Sequence, residues 1–300
     1  MSAQSGTERR TEPSSDYLDV PGGRIYYEVR GSGPLLLVIG QPMTSAPFAP
    51  LADVLAEERT VVTYDPHGLG LSTTDDLSKD VTPQVQADDL ARLVDALGGE
   101  AADVFGSSGG AVTALALADR HPGRVRTVIA HEPPLIELLP DADHVRAVVD
   151  GIETAYRTHG SGAAWGEFVS LVMHDGPVTE AGVQPATWPP PGAEAPDAGA
   201  APPEPTQKQR DDDQLFFLRM LRPFSRYEPR VEELRAGNPR VVVAVGATSR
   251  GEIARRAADA LAERLGTPAV AFPGDHGGFM ADPAAFATAI RDVLAEQARP

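Results

Sequence analysis

Residues 106–110, which read Gly-Ser-Ser-Gly-Gly, have the residue types that nucleophilic chemistry requires. They follow the mostly apolar run Ala-Asp-Val-Phe at 102–105 and precede a series of good helix formers. A serine at a sharp strand-to-helix corner, with glycine two places to either side, forms a nucleophile elbow. The corner backbone is strained, and the glycines let helix and strand pass closely. Only Ser108 has this spacing, because the residue two places before Ser107 is a phenylalanine. We therefore predict that Ser108 is the nucleophile.

A serine hydroxyl is a weak nucleophile, so it needs a base within hydrogen-bond reach and an acid that orients the base. His276 is the best candidate for the base among the seven histidines, because it follows the last predicted strand. His131 comes at the end of an earlier strand and is expected to line the substrate pocket. The other five lie in a Gly-rich loop, at a helix end or in an insertion: His67, His121, His144, His159 and His174.

Strand-like and helix-like segments alternate along the chain and are expected to position these side chains. Apolar strands that alternate with helices indicate an α/β fold with a mostly parallel central sheet flanked by helices. The predicted strands cover 17–20, 24–29, 35–39, 60–64, 102–106, 125–130, 241–245 and 269–272. The predicted helices cover 48–57, a long segment that Thr82 caps, 108–120, 252–265 and 283–295.

An insertion interrupts this alternation. We predict a disordered tail at 1–16, a core formed by 17–133 and 236–300, and a helical cap at 134–235. The cap includes a Pro/Ala-rich loop at about 184–210 and would lie over the carboxyl ends of the strands, where ligands bind in open α/β sheets. Its acidic run at 211–213 is expected to be a solvated helix N-terminus. Three cap residues are predicted to contact substrate: Trp165, Phe217 and Met220.

Composition limits the classes of partner. The formal charge of −17 and the pI near 4.8 argue against nucleic acid and anionic membranes, which attract basic surfaces. We expect a cytoplasmic protein, because the N-terminal residues lack an apolar signal region and no segment is apolar enough to span a membrane. Without cysteine, a metal-ligand cluster or a dinucleotide fingerprint, no cofactor or metal is expected. The expected partner is a small-molecule substrate, and a homodimer remains possible.

Three motifs resemble those of the α/β-hydrolase superfamily. Residues 65–72, Asp-Pro-His-Gly-Leu-Gly-Leu-Ser, are similar to the family's D-x-R-G-x-G-x-S loop with histidine in place of arginine. The elbow at 106–110 and the segment 274–279, Gly-Asp-His-Gly-Gly-Phe, follow in the family's order. The chain most resembles cap-bearing serine hydrolases with an acid after the sixth strand. The resemblance implies cleavage of a carboxylic ester, or of a lactone or thioester, through an acyl-enzyme.

The position of the catalytic acid departs from the pattern common in the family. Most members place an aspartate just after the strand at 241–245, where this chain has Ser249. Glu132 directly follows the sixth predicted strand, the position that certain haloalkane dehalogenases use, and we favour it. Glu252 is the alternative, although with Ser249 it would also form a capping box. The absence of any working acid stays open as well.

The oxyanion hole needs two backbone N–H groups aimed at one point. The resemblance implies that Gly109, the residue after the nucleophile, supplies one of them. Gln41 is the best source of the second, because Pro42 has no N–H. Relatives commonly have His-Gly where this chain has Ile39-Gly40. Two other functions therefore stay open: a non-hydrolytic Ser–His enzyme (C–C cleavage, cyclisation or a lyase step), and a degenerate protein that only binds ligand.

Overall fold

The computed structural model describes residues 13–186 and 204–296. The described residues form nine strands: β1 (Ser14–Val20), β2 (Gly23–Arg30), β3 (Leu35–Ile39), β4 (Thr60–Tyr64), β5 (Thr73–Thr74), β6 (Ala102–Ser107), β7 (Val125–His131), β8 (Arg240–Gly246) and β9 (Val270–Phe272). They belong to one sheet with the order β1-β2-β4-β3-β6-β7-β8-β9, and the short β5 pairs with β2. β1 and β2 pair antiparallel, β2 joins β4 antiparallel, and all pairs from β4 to β9 are parallel. The predicted fold class is confirmed.

Helices cover both faces of this sheet. The helices are α1 (Ala49–Leu55), α2 (Pro83–Ala96), α3 (Gly109–Arg120), α4 (Ala142–His159), α5 (Ser161–Val172), α6 (Gln207–Leu215), α7 (Leu221–Ser225), α8 (Val231–Arg235), α9 (Ile253–Leu265), α10 (Gly278–Ala281) and α11 (Pro283–Ala295). Leu36 and Val38 of β3 share one core cluster with α1 and α11. Leu37 and Ile39 point to the opposite face and share the other cluster with α2, α3 and α9. Strands buried on both faces explain the continuous apolar runs in the sequence.

The helices α4 to α8 lie between β7 and β8 in the chain, where the cap was predicted. A single π-helical turn, Phe216–Met220, joins α6 to α7. The cap contacts the core loop at 65–72: the Lys208 ammonium donates to the carbonyl of Gly68 over 2.9 Å, and it pairs with Asp212. The same loop is tied to the segment after β3, since the Asp65 carboxylate accepts from Ser45 N at 2.8 Å. Because the loop at 65–72 follows β4, the Lys208 contact places the start of α6 at the carboxyl end of that strand.

Two predicted boundaries need correction. β1 begins at Ser14, so residues 14–16 belong to a strand rather than to the predicted tail, and residues 1–12 lie outside the described part. The predicted Pro/Ala-rich loop at about 184–210 ends too late, because α6 already begins at Gln207. Thr206 and Gln209 form a capping box that starts this helix. The rest of that loop, residues 187–203, lies outside the described residues. Within the described ranges, no helix combines the length and the apolar character that crossing a membrane requires.

Candidate active site

The corner between β6 and α3 carries Ser108 in a strained conformation, with φ 57° and ψ −126°. A side chain in this region is costly by about 1–3 kcal/mol and persists only where the surroundings impose it. The end of β6 and the start of α3 approach each other closely here. A Cβ added to Gly106 would lie only 2.5 Å from the carbonyl oxygen of Gly110. The two glycines therefore let β6 and α3 meet at a corner that places the Ser108 side chain at the cleft.

The structure brings His276 and Glu132 together. His276 follows β9, and its Nδ1 lies 2.7 Å from Oε2 of Glu132. The other carboxylate oxygen, Oε1, accepts from the backbone N–H of Gly246 at 2.8 Å. Glu132 directly follows β7 and has a positive φ of 47°, and its own N–H donates to the carbonyl of Ala244 at 3.0 Å. Both oxygens of the carboxylate are thus engaged, which fixes its direction toward the imidazole.

The environment keeps the Glu132 carboxylate ionised. Burial raises its pKa, but the hydrogen bond to His276, the neighbouring His131 and the Gly246 N–H together outweigh burial and lower the pKa to about 2. An ionised acceptor at this place holds the proton of His276 on Nδ1 and leaves Nε2 as the acceptor. That tautomer is the one a general base needs.

Ser249, which stands where most family members have an aspartate, and Glu252, the alternative acid, both have other partners. Ser249 is buried in the turn after β8, where a Cβ on Gly246 would lie 2.6 Å from its Oγ. The Glu252 carboxylate accepts from the backbone N–H of Arg250 at 2.6 Å. The predicted capping box is absent, because Glu252 is itself the N-cap residue of α9 and its side chain makes no capping bond.

Ser108 and His276 line two connected cavities beneath the cap. Apart from Ser225 and the residues shared with the outer cavity, the described residues that line the inner cavity are apolar. The outer cavity is wider and opens to solvent. Seven of the described residues line both cavities and mark the junction: Gln41, Pro42, Ser108, Phe168, Val172, Phe216 and His276. The hydroxyl and the imidazole therefore face the same cleft.

Gln41 lies directly against Gly109. A Cβ on Gly109 would be 2.7 Å from the carbonyl oxygen of Gln41 and 2.8 Å from its Cβ, so only glycine permits this approach. The Gln41 side chain is buried: its Oε1 accepts from Gln86 at 3.2 Å, and its Nε2 donates to the sulfur of Met220 at 3.0 Å. Gln86 in turn accepts from the hydroxyl of Tyr64 at 2.7 Å. This buried network fixes the segment after β3 beside the start of α3.

The predicted pocket role of His131 is wrong. Its side chain is fully buried below the cleft, and its Nδ1 lies 3.1 Å from Oγ of Ser107. Burial, more than any neighbouring charge, lowers its pKa to about 4, so the ring is neutral near pH 7. The ring stacks on His276 with centroids 6.0 Å apart. His131 thus forms part of the floor under His276 and does not reach the substrate space.

The structure also contradicts the predicted substrate contact of two of the three cap residues. Phe217 and Met220 are buried in the cap and line neither cavity. Trp165 lines the outer cavity, so its contact with substrate stays a prediction. The acidic run was interpreted incorrectly, because Asp211–Asp213 lie inside α6 rather than at its start, and Asp212 and Asp213 line the outer cavity.

Sequence reasoning missed several lining residues that come from distant segments. Ile136, Val149 and Ile253 line the inner cavity, and Gln86 supports Gln41 from α2. None of them belongs to a motif, so no local pattern could have marked them. Within residues 13–186 and 204–296, no group of three or more histidine, aspartate or glutamate side chains is arranged to hold a metal ion.

Comparisons with known proteins agree with this architecture. A family model described as the alpha/beta hydrolase fold matches residues 33–160. The uncharacterized hydrolase YraK of Bacillus subtilis (strain 168) is 30% identical over 285 residues, which cover 93% of this chain and 96% of YraK. A zearalenone hydrolase of Cladophialophora bantiana is 34% identical over 124 residues, or 40% of this chain and 47% of that protein.

Solved structures share the fold at low sequence identity. A thermophilic esterase from Thermogutta terrifontis has a TM-score of 0.68 at 18% identity, covering 95% of this chain and 99% of the esterase chain. The enol-lactonase of Burkholderia xenovorans LB400 has a TM-score of 0.65 at 18% identity, covering 93% of this chain and 100% of the lactonase chain. With a relative that is 30% identical over nearly the full length of both chains, and with the matching family model, the chain belongs to the α/β-hydrolase family of enzymes.

Proposed function

We propose that this protein is a serine hydrolase that cleaves a carboxylic ester, or a related lactone or thioester, through an acyl-enzyme on Ser108. One observation carries the proposal: a serine on a strained elbow and a histidine held at 2.7 Å by a buried carboxylate line the same cavity. A nucleophile, a base and an acid that orients the base are the three parts of acyl-transfer catalysis.

Each residue has a separate role in the reaction. The Ser108 hydroxyl attacks the carbonyl carbon while Nε2 of His276 accepts its proton, and Glu132 stabilises the resulting imidazolium. The backbone N–H groups of Gly109 and Gln41 would donate to the oxyanion, and one such donor contributes about 3 kcal/mol. His276 then returns the proton to the leaving group. Water attacks the acyl-enzyme by the same route and regenerates Ser108.

The relatives support hydrolysis in general terms. YraK, which matches nearly the whole chain, is named a hydrolase, and the relative from Cladophialophora bantiana is named a zearalenone hydrolase. Serine at the elbow favours an acyl-enzyme over epoxide or haloalkane chemistry, in which related enzymes use a carboxylate at that position. The proposal of an ester substrate therefore rests on the serine nucleophile and the oriented histidine, and not on the relatives.

A fluorophosphonate probe tests the nucleophile directly. The probe should label the wild-type protein and the Ser107→Ala variant, whereas Ser108→Ala should remain unlabelled and lose turnover of p-nitrophenyl butyrate. Ser107 is a matched control, because it is the adjacent serine and its hydroxyl contacts buried His131 instead of the cleft. A folded wild-type protein that is neither labelled nor active would refute the proposal and favour a protein that only binds ligand.

A further inference from the structure

The two cavities that meet at Ser108 have different chemistry. Apart from Ser225, the described residues that line only the inner cavity are apolar, and they include Val149, Leu221 and Phe224. The residues that line only the outer cavity include Asp212 and Asp213. Among the described residues, neither lining contains a lysine or an arginine. A substrate that is bound across the junction therefore meets an apolar surface on one side of its carbonyl and carboxylates on the other.

Asp213 is the carboxylate that faces the outer cavity with its charge uncompensated by a cation. Its Oδ1 accepts from Nε1 of Trp165 at 2.9 Å, and Oδ2 makes no hydrogen bond or ion pair with another described residue. Asp212 differs, because it pairs with the Lys208 ammonium. The indole N–H holds the Asp213 carboxylate in one orientation, so this negative charge is a fixed feature of the site.

The cavity that contains the Asp213 carboxylate is also lined by aromatic rings. Trp165, Phe168 and Phe216 all line the outer cavity. Trp165 stacks on Phe216 with centroids 5.4 Å apart and meets Phe168 edge-on at 5.6 Å. Aromatic faces attract cations, and quaternary ammonium groups are typically bound by clusters of such rings. Aromatic rings and a fixed carboxylate together form a surface suited to an organic cation.

The order of the reaction decides which half of the substrate occupies each cavity. The acyl group stays attached to Ser108 after the first step, whereas the leaving group must depart before water attacks. The outer cavity is the wider and more open of the two. The leaving group is therefore assigned to the outer cavity, and the acyl group to the apolar inner one.

We infer that the substrate is an ester with an apolar acyl group and a positively charged leaving group, such as an amino alcohol or a quaternary ammonium alcohol, and that Asp213 determines this charge preference. The inference rests on the proposed function and specifies its substrate class. A carboxylate a few ångströms from a cation at a partly exposed site should favour the cationic ester about tenfold, since screening by water and salt weakens the attraction.

Three esters with the same acyl group test the charge preference: butyrylcholine, its neutral isostere 3,3-dimethylbutyl butyrate, and the anionic butyrate ester of 3-hydroxypropane-1-sulfonate. We expect kcat/KM to fall in that order, with a ratio of about ten between the cationic and neutral esters. In Asp213→Asn the ratio should fall below about three. Asparagine keeps an acceptor for the Trp165 N–H, so the variant removes the charge and preserves the contact.

Asp211→Asn is the matched control. It removes the same charge from the same helix, but Asp211 accepts from Gln207 and lines neither cavity, so the ratio should stay near ten. A wild-type ratio near one, or equal ratios in the two variants, would overturn the inference while leaving ester hydrolysis intact. Failure to hydrolyse any of the esters, together with no fluorophosphonate labelling of Ser108, would instead reject the proposed function itself.

Discussion

The sharpest prediction concerns Glu132→Gln, because the structure fixes what the amide can do. Glu132 accepts two hydrogen bonds, from the Gly246 N–H at 2.8 Å and from Nδ1 of His276 at 2.7 Å. Glutamine has one oxygen and one NH₂ group at these positions, so it can accept only one of the two bonds. The side chain is about 1% exposed, which leaves no room for water to replace the other.

The two orientations of the amide have different consequences. If its oxygen faces His276, its NH₂ meets the Gly246 N–H, and two buried donors face each other at a cost of about 1–3 kcal/mol. If its oxygen faces Gly246, its NH₂ donates to Nδ1 of His276. The imidazole can then move its proton to Nε2, which satisfies every group. The second orientation should prevail, because a tautomer shift is easier than a buried unsatisfied donor.

That tautomer removes the base, since Nε2 can no longer accept the proton of Ser108. The corresponding change in a Ser-His-Asp triad lowers kcat by about 10⁴, which is about 5 kcal/mol. We expect a loss of about 10³- to 10⁴-fold in kcat for p-nitrophenyl butyrate, with little change in KM. Circular dichroism should show an intact fold.

Glu252→Gln is the matched control for this experiment. Its carboxylate accepts from the Arg250 N–H, and we expect a kcat within about threefold of the wild type. The reasoning would be refuted if the folded Glu132→Gln protein kept more than about a tenth of the wild-type kcat. Equal losses in the two variants would also contradict it.

Three further variants and conditions test the surrounding structure. Ser107→Ala should lower the free energy of unfolding by about 1–3 kcal/mol in urea titrations, because buried His131 loses its 3.1 Å partner; an unchanged midpoint and slope would contradict this. Gly109→Ala should lower kcat about 10²-fold, since the new Cβ would lie 2.7 Å from the Gln41 carbonyl oxygen and displace an oxyanion donor; full activity would exclude that geometry. The pKa of Glu132, about 2 instead of 4.5, should stabilise the fold by up to about 3 kcal/mol above pH 4.5 and progressively less as the pH falls toward 2. The unfolding free energies of wild type and Glu132→Gln, measured across pH 2–6, should therefore converge as the pH falls. A difference between them that widens as the pH falls would contradict this prediction.

The sequence was sufficient for the features that depend on neighbouring residues. Continuous apolar runs alternate with amphipathic helices, and this pattern predicted a mostly parallel sheet because strands buried on both faces need apolar residues at every position. The elbow was also local: glycines at 106 and 110 and phenylalanine at 105 leave one register for the corner. The insertion between β7 and β8 was visible as a break in the alternation.

Only the tertiary structure decided which distant side chains meet. Glu132 and His276 are 144 residues apart, and the place of Glu132 after a strand favoured it over Glu252 without showing which carboxylate contacts the imidazole. The face that each apolar cap residue presents was equally undetermined: Phe216 lines both cavities, whereas the adjacent Phe217 packs inside the cap and lines neither. Local patterns determine the elements because they depend on backbone geometry and solvent exposure, whereas the site depends on contacts made only after the chain has folded.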